Sequence, residues 1–245
     1  MYLPNWSGSY ASWATKIDFT KMTHLDLAFG VIKNQNTNDW SMGASDADVK
    51  TLAAAAHAKG VKVLVSIGGA SDDIYIINRY KTEANIDPLV ANLYAMVNRL
   101  DLDGVDVDVE RGGDMKSTGN FGKFVAKINS TFKPGKLVTA ALAQYIMEAA
   151  GNDAGVKAWT NSFDFINLMI YNKNMKVYTD ELNWWKTNRG VPKDKLTWGV
   201  IFDGSVNAAQ VKAYTVASKA DGGIMAWELS LDKSGTLWKA MQDGI

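Results

Sequence analysis

Short runs of β-branched and apolar residues alternate along the chain with longer amphipathic stretches, and Gly, Asp and Asn cluster at the joints. The runs at 1–3, 24–29, 62–67, 104–109, 137–142, 165–171, 196–202 and 223–227 read as strands. The stretches at 46–59, 87–100, 121–131, 154–159, 181–188, 208–217 and 234–241 read as helices. In the second of these, Leu89, Leu93, Met96, Val97 and Leu100 recur at helical spacing, with Asp87 as the cap and Pro88 in the first helical position. Eight strands alternating with helices predict the α/β class and a single closed (β/α)8 TIM barrel. A doubly wound open sheet has the same alternation, and strand count and length favour closure.

Composition narrows the picture. The 245 residues match the roughly 250 of one such barrel, and no Pro/Ser linker, low-complexity tract or longer repeat divides them, so one catalytic domain over 1–245 is expected. Lys plus Arg (26) balances Asp plus Glu (26), which leaves no electrostatic footprint for nucleic acid or an acidic membrane surface and suits a neutral partner such as a sugar. No apolar stretch approaches the roughly 20 residues that span a bilayer. Cysteine is absent, which excludes disulfides, thiolate chemistry and cysteine zinc sites, and His24 and His57 lie too far apart in sequence to suggest a metal pair. The start, Met1 to Trp6, has neither a basic nor an apolar leader region, and the expectation is a secreted monomer whose leader has been removed.

The chemistry concentrates in the run Asp106-Val107-Asp108-Val109-Glu110. Alternate side chains of a strand share a face, so the three carboxyls point one way and the valines the other. In a barrel the acidic face looks inward, rising about 7 Å per pair of residues, with Glu110 at the carboxyl end where barrel active sites form. Burial and like charge both raise carboxyl pKa values, so Asp106 and Asp108 are expected to share a proton, and Glu110 to stay protonated near neutrality as a general acid. A solvated acidic edge strand is disfavoured by the valines and Leu102, and a divalent-metal site by the lack of accompanying ligands.

The segment Asp103-Gly104-Val105-Asp106-Val107-Asp108-Val109-Glu110 resembles the Asp-Gly-x-Asp-x-Asp-x-Glu signature of glycoside hydrolase family 18, the chitinases and endo-β-N-acetylglucosaminidases, on the strand where that family carries it. Ser66-Ile67-Gly68-Gly69 is similar to the family's Ser-x-Gly-Gly element, and Met169-Ile170-Tyr171 to its Met-x-Tyr element. The strand ending in Trp227 looks like the closing segment whose Trp floors the sugar subsite. The resemblance implies that Glu110 protonates the leaving oxygen and Asp108 bonds the substrate's acetamido N–H. It further implies that Asp106 tunes Asp108 and Tyr171 holds the acetamido carbonyl, whose oxygen is itself the nucleophile. Retention follows, with no metal or cofactor. Cis peptides at Ala28-Phe29 and Trp227-Glu228 are also implied.

Met169, Ser66 and Gly69 belong to the expected site through these elements. Tyr2, Phe29, Gln144, Tyr145 and Asp203 fall at or near carboxyl ends of predicted strands and are candidate sugar contacts. Trp6, Trp40, Trp184 and Trp185 are candidates for extending the sugar track, the last two equally for helix packing. Three departures from the larger relatives stand out. Asn172 replaces an Asp, Arg111-Gly112-Gly113 replaces Tyr-Pro, and only residues 203–222 separate the last two strands where an α+β insertion is common. An open cleft and endo action on an N-acetylglucosamine-containing oligo- or polysaccharide, chitin first, are expected. The chitobiose core of N-glycans is the alternative substrate. A non-catalytic chitinase-like lectin is the alternative of another class, and retention of Asp106, Asp108 and Glu110 speaks against it.

Overall fold

Eight parallel strands follow one another in chain order around a sheet that nearly closes into a barrel: β1 (Tyr2–Pro4), β2 (His24–Ile32), β4 (Lys62–Gly68), β5 (Gly104–Asp108), β6 (Leu137–Leu142), β7 (Ile166–Leu168), β8 (Leu196–Ile201) and β9 (Ile224–Trp227). A two-residue strand, β3 (Trp40–Ser41), pairs antiparallel with the end of β2. The computed structural model describes residues 1–34, 36–111, 119–151, 154–171 and 174–245. Among them no ladder joins β9 to β1, and the Tyr2 and Trp227 rings meet across that seam with centroids 5.6 Å apart.

The alternation along β5 sorts the core as a barrel requires. Val105, Val107 and Val109 join the large apolar layer between sheet and helices, with Leu89, Leu93 and Val97 of one flanking helix and Phe124, Val125 and Ile128 of the next. Asp106 and Asp108 take the other face. There a small separate cluster of Tyr2, Ala28, Phe29, Ala141 and Met225 fills the barrel axis. Small side chains at Ala28 and Ala141 leave room for the polar groups between them.

All eight predicted strands are present, with altered ends. The strand expected at 165–171 is only Ile166–Leu168, so Met169 and Tyr171 lie on the loop beyond it. Tyr171 adopts φ 47°, uncommon for an aromatic residue, and its N–H donates to the Gly199 carbonyl at 3.1 Å. The helix expected at 87–100 runs Ile86–Arg99, so Asp87 is not the cap and Pro88 sits in the third position. A preceding tight turn, Glu83–Asn85, supplies the entry instead. The helix expected at 181–188 is Met175–Trp184 continued by a π-helical turn, Trp185–Arg189. That turn aims the buried Arg189 guanidinium at the carbonyls of Met147 (2.7 Å) and Gly151 (2.8 Å). Helices Gly69–Tyr80 and Gln144–Ala150 were not expected, because each starts directly at a strand's exit without a conventional cap.

Candidate active site

At the carboxyl end of the strands lies a cavity of about 380 Å³. Its floor and walls include Asp108, Glu110, Met169, Tyr171, Phe29, Trp227 and Gly69, and Trp6 stands at its rim, 64% exposed. The structure therefore brings together residues of β2, β5 and β9 and of the segments just past β4, β5 and β7, distant in sequence. Both Ala28-Phe29 and Trp227-Glu228 are cis peptides, as the resemblance implies. The Phe29 and Trp227 rings stack at 5.8 Å with planes 24° apart, and Trp6 approaches both at 6.1 and 6.4 Å. Three neighbouring aromatic rings in the cavity that holds the acids suit the apolar face of a pyranose ring.

Two glycines let the backbone pack under this pocket. Gly68 has φ 107°, and a Cβ there would fall 2.0 Å from the Asp108 carbonyl oxygen. A Cβ on Gly69 would strike the Phe29 ring at 2.7 Å. These contacts are the physical reason for the paired glycines after Ser66.

Beneath the pocket Asp106 is wholly buried and accepts three hydroxyl hydrogen bonds. Tyr2 (2.9 Å) and Ser66 (2.8 Å) donate to Oδ2, and Thr139 (2.7 Å) donates to Oδ1. The network continues from Thr197 to Asn167 Oδ1 (2.8 Å) and from the Asn167 amide to the Tyr2 hydroxyl (2.9 Å). Tyr2 and Ser66 thus serve the acidic strand from below, and neither reaches the cavity. Burial raises the Asp106 carboxyl, while Thr139, Ser66 and Tyr2 oppose the rise.

Asp108 is 5% exposed at the cavity's base. Glu110 stands two residues beyond the strand's end, half-buried at the cavity wall. Burial raises its pKa above the ordinary glutamate value, and a hydrogen bond from the Ala70 N–H works in the opposite direction. Burial likewise raises the Tyr171 hydroxyl well above its usual value, with the charges of Asp108, Glu110 and Asp106 adding to it. Tyr171 is therefore a neutral hydrogen-bond donor next to the acids.

Other expected contacts fall elsewhere. The Gln144 amide donates to Glu148 at 2.8 Å, one turn along its own helix, and Asp203 is exposed past β8, where it accepts from the Ser205 N–H at 2.8 Å. Neither lines the cavity. Tyr145 is 69% exposed at the start of the helix that follows β6, and burial first, then the charges of Glu110 and Asp108, raise its hydroxyl. Trp40 and Trp185 are buried in the core, and Trp184 packs under the Arg189 guanidinium at 4.8 Å. Asn172, Gly112 and Gly113 lie outside the described residues.

Asp103, the first acid of the run, faces away from the pocket. It accepts from His57 Nε2 (2.7 Å), Lys62 (2.8 Å) and the Val63 N–H (2.8 Å), clamping β5 to β4 and the 46–57 helix. Asp26, Thr139 and Asn167 complete the buried polar layers and were not singled out as site residues from sequence. The signal was there for Asp26: an acid at an inward position of the otherwise apolar run Leu25-Asp26-Leu27-Ala28-Phe29.

The barrel thus carries its acids at the end of the fourth parallel strand, beside a group of aromatic rings. The family model for Glycosyl hydrolases family 18 matches residues 1–213, and the chain belongs to that family. It is 22% identical over 94% of its length to a chitinase-like effector of Moniliophthora perniciosa, and spans 62% of that protein. A family 18 chitinase from the chitin utilization locus of Flavobacterium johnsoniae superposes with TM-score 0.81 at 23% identity, covering 99% of this chain and 92% of the other. A family 18 chitinase from Cycas revoluta in complex with (GlcNAc)3 gives TM-score 0.81 at 17% identity, covering 99% and 98%.

Proposed function

We propose that this chain is an endo-acting hydrolase of the β-1,4 bonds in N-acetylglucosamine polymers, chitin first, with Glu110 as its proton-transferring group. The observation that carries this reading is a single half-buried acid, its pKa raised by burial, at the rim of an aromatic-walled cavity that holds Asp108 and Tyr171. An ordinary glycosidase needs a second carboxyl as nucleophile or water activator. Here the acetamido oxygen of the sugar takes that part. Tyr171 holds the acetamido carbonyl, Asp108 receives its N–H and balances the developing positive charge, and Asp106 fixes Asp108 from beneath.

Glu110 gives its proton to the leaving oxygen as the acetamido oxygen closes on the anomeric carbon. The resulting Glu110 carboxylate then deprotonates the water that opens the oxazolinium ring, restoring the acid with net retention. Trp6, Phe29 and Trp227 stack sugar rings in the cavity that holds Glu110, and Tyr145, whose hydroxyl feels the charges of Glu110 and Asp108, offers a further exposed ring. That arrangement favours internal bonds of a chain. An insoluble polymer as substrate suits a secreted enzyme.

Product analysis on chito-oligosaccharides and on a high-mannose glycoprotein, with Glu110→Gln alongside, tests the proposal. Short oligomers of mixed length from the former, lost in the variant, are expected. Disaccharide alone from one chain end counts against endo action. Release of glycan without chitin cleavage selects the N-glycan reading. The name chitinase-like effector, borne by relatives from Moniliophthora perniciosa and Moniliophthora roreri, leaves room for a second reading, a sugar-binding protein without turnover. Oligomer binding with no products selects it.

A further inference from the structure

The acidic network extends one layer below Asp106, to Asp26. Asp26 faces the barrel interior from β2, beside Tyr2 in the β1–β2 register and beside Leu64 in the β2–β4 register, and it is 1% exposed. Asp106 lies one interior layer higher, level with Ser66. The two carboxyls differ in their donors. Asp106 accepts three hydroxyl hydrogen bonds, whereas Asp26 Oδ1 is buried with no hydrogen-bond partner among the described residues, and Oδ2 has the Met1 ammonium at 3.9 Å. A carboxylate held by several protein donors is stabilised as the anion more than one that lacks them. The donors thus favour the anion at Asp106 over the anion at Asp26.

Asp26 also has its own way to solvent. It lines a second cavity of about 410 Å³, together with Asn167, Thr197 and Met225. This cavity opens at the amino-terminal mouth of the barrel, between Met22, His24, Phe165 and Ile224, the end opposite the sugar pocket. A liquid water takes roughly 30 Å³, so the space admits several.

Resting on the hydrolase reading above, we propose that Asp26 is a positioning residue for the acidic strand: it stores a proton beneath Asp106, leaves Asp106 as the anion, and exchanges that proton through the amino-terminal mouth. The groups facing it are the Met1 ammonium and Tyr2 from β1, Asp106 from β5, and His24 on its own strand, with Lys21, Asp164, Asp194 and Lys219 around the cavity. Burial first, then the charge of Asp106, push the Asp26 carboxyl up to about 8, with the Met1 ammonium opposing. A folded-state value above the unfolded one, near 4, means that the native state loses stability as pH rises from about 4 to about 8. Because the route to Asp26 avoids the sugar pocket, its ionisation acts on kcat in the substrate-bound enzyme as well as on kcat/KM.

Asp26→Asn removes the titrating group while keeping its shape. Three readouts are expected. Wild-type protein with 13C-labelled aspartate carboxyls shows one resonance that titrates between pH 7 and 9 and is absent from the variant. The Tm of Asp26→Asn relative to wild type rises between pH 5 and pH 8 by about 3 °C or more. The pH profile of kcat on a chito-oligosaccharide shifts by half a unit or more on about that scale. Aspartates that all titrate below pH 6, a Tm difference constant with pH, or superimposable kcat profiles would overturn the proposal. If Asp26→Asn does not fold, the wild-type titration decides alone. If the wild type hydrolyses nothing, the function above fails while the titration and Tm readouts still judge Asp26.

Discussion

Three carboxyls along one acidic run end in three environments. Asp106 is sealed among hydroxyls, Asp108 sits at the cavity's base, and Glu110 stands half in water past the strand's last residue. Burial is the leading influence on Glu110 and acts against ionisation. The proposed general acid must be protonated to work, so the proposal has activity retained below the Glu110 pKa and lost as pH rises through it. The alkaline limb of kcat/KM is therefore expected above the ordinary glutamate value of about 4.3, and the limb should vanish with the residual activity of Glu110→Gln. A pH–rate series on a soluble oligomer checks this, and a limb at or below that value contradicts it. The acids, Met169, Tyr171, Phe29, Gly69 and Trp227 were all legible in the sequence, because period-two alternation and short motifs locate inward positions. Gln144 and Asp203 were misplaced for a local reason. The chain turns at the end of β6 and β8, and one side chain folds along a new helix while the other folds into an Asx turn.

Elements succeed or fail with their ends. The amphipathic stripe of the 86–99 helix was readable residue by residue, yet Pro88 sits two positions later than its type suggests because the Glu83–Asn85 turn leads in. The 69–80 helix was hidden by the glycine pair at its start, which reads as a loop and is required by the close approach to Asp108 and Phe29. Asp103 looks like part of the catalytic run and acts between elements instead. Burial would raise its pKa, and the bonds from Lys62, the Val63 N–H and His57 outweigh it and hold the carboxyl low. A depressed folded-state value contributes stability above the unfolded value near 4 and loses it as pH falls through the folded one. Asp103→Asn should therefore lower Tm at pH 7 and converge on the wild type near pH 3. Thermal melts at both pH values decide, and an equal deficit at both would assign the loss to packing.

At the scale of the molecule, a plug of interior side chains separates two cavities of one barrel: the one holding Asp108 and Glu110 at the carboxyl end and the Asp26 cavity at the amino end. Strand number and order were legible because β and α periods alternate cleanly. The depth of the polar plug was not, since Asp26, Thr139, Asn167 and Thr197 come from four strands and meet only when the sheet curls. Between β8 and β9 the chain carries only the Ala208–Ser218 helix, which leaves the cleft without an added wall from that segment. The account stands on a sugar-supplied nucleophile with Glu110 moving the protons. Proton NMR of penta-N-acetylchitopentaose in the first minutes of reaction tests it most directly. The account predicts new reducing ends born in the β configuration, drifting to α only by mutarotation, and none with Glu110→Gln. Ends born α, or formed equally fast by the variant, would contradict it.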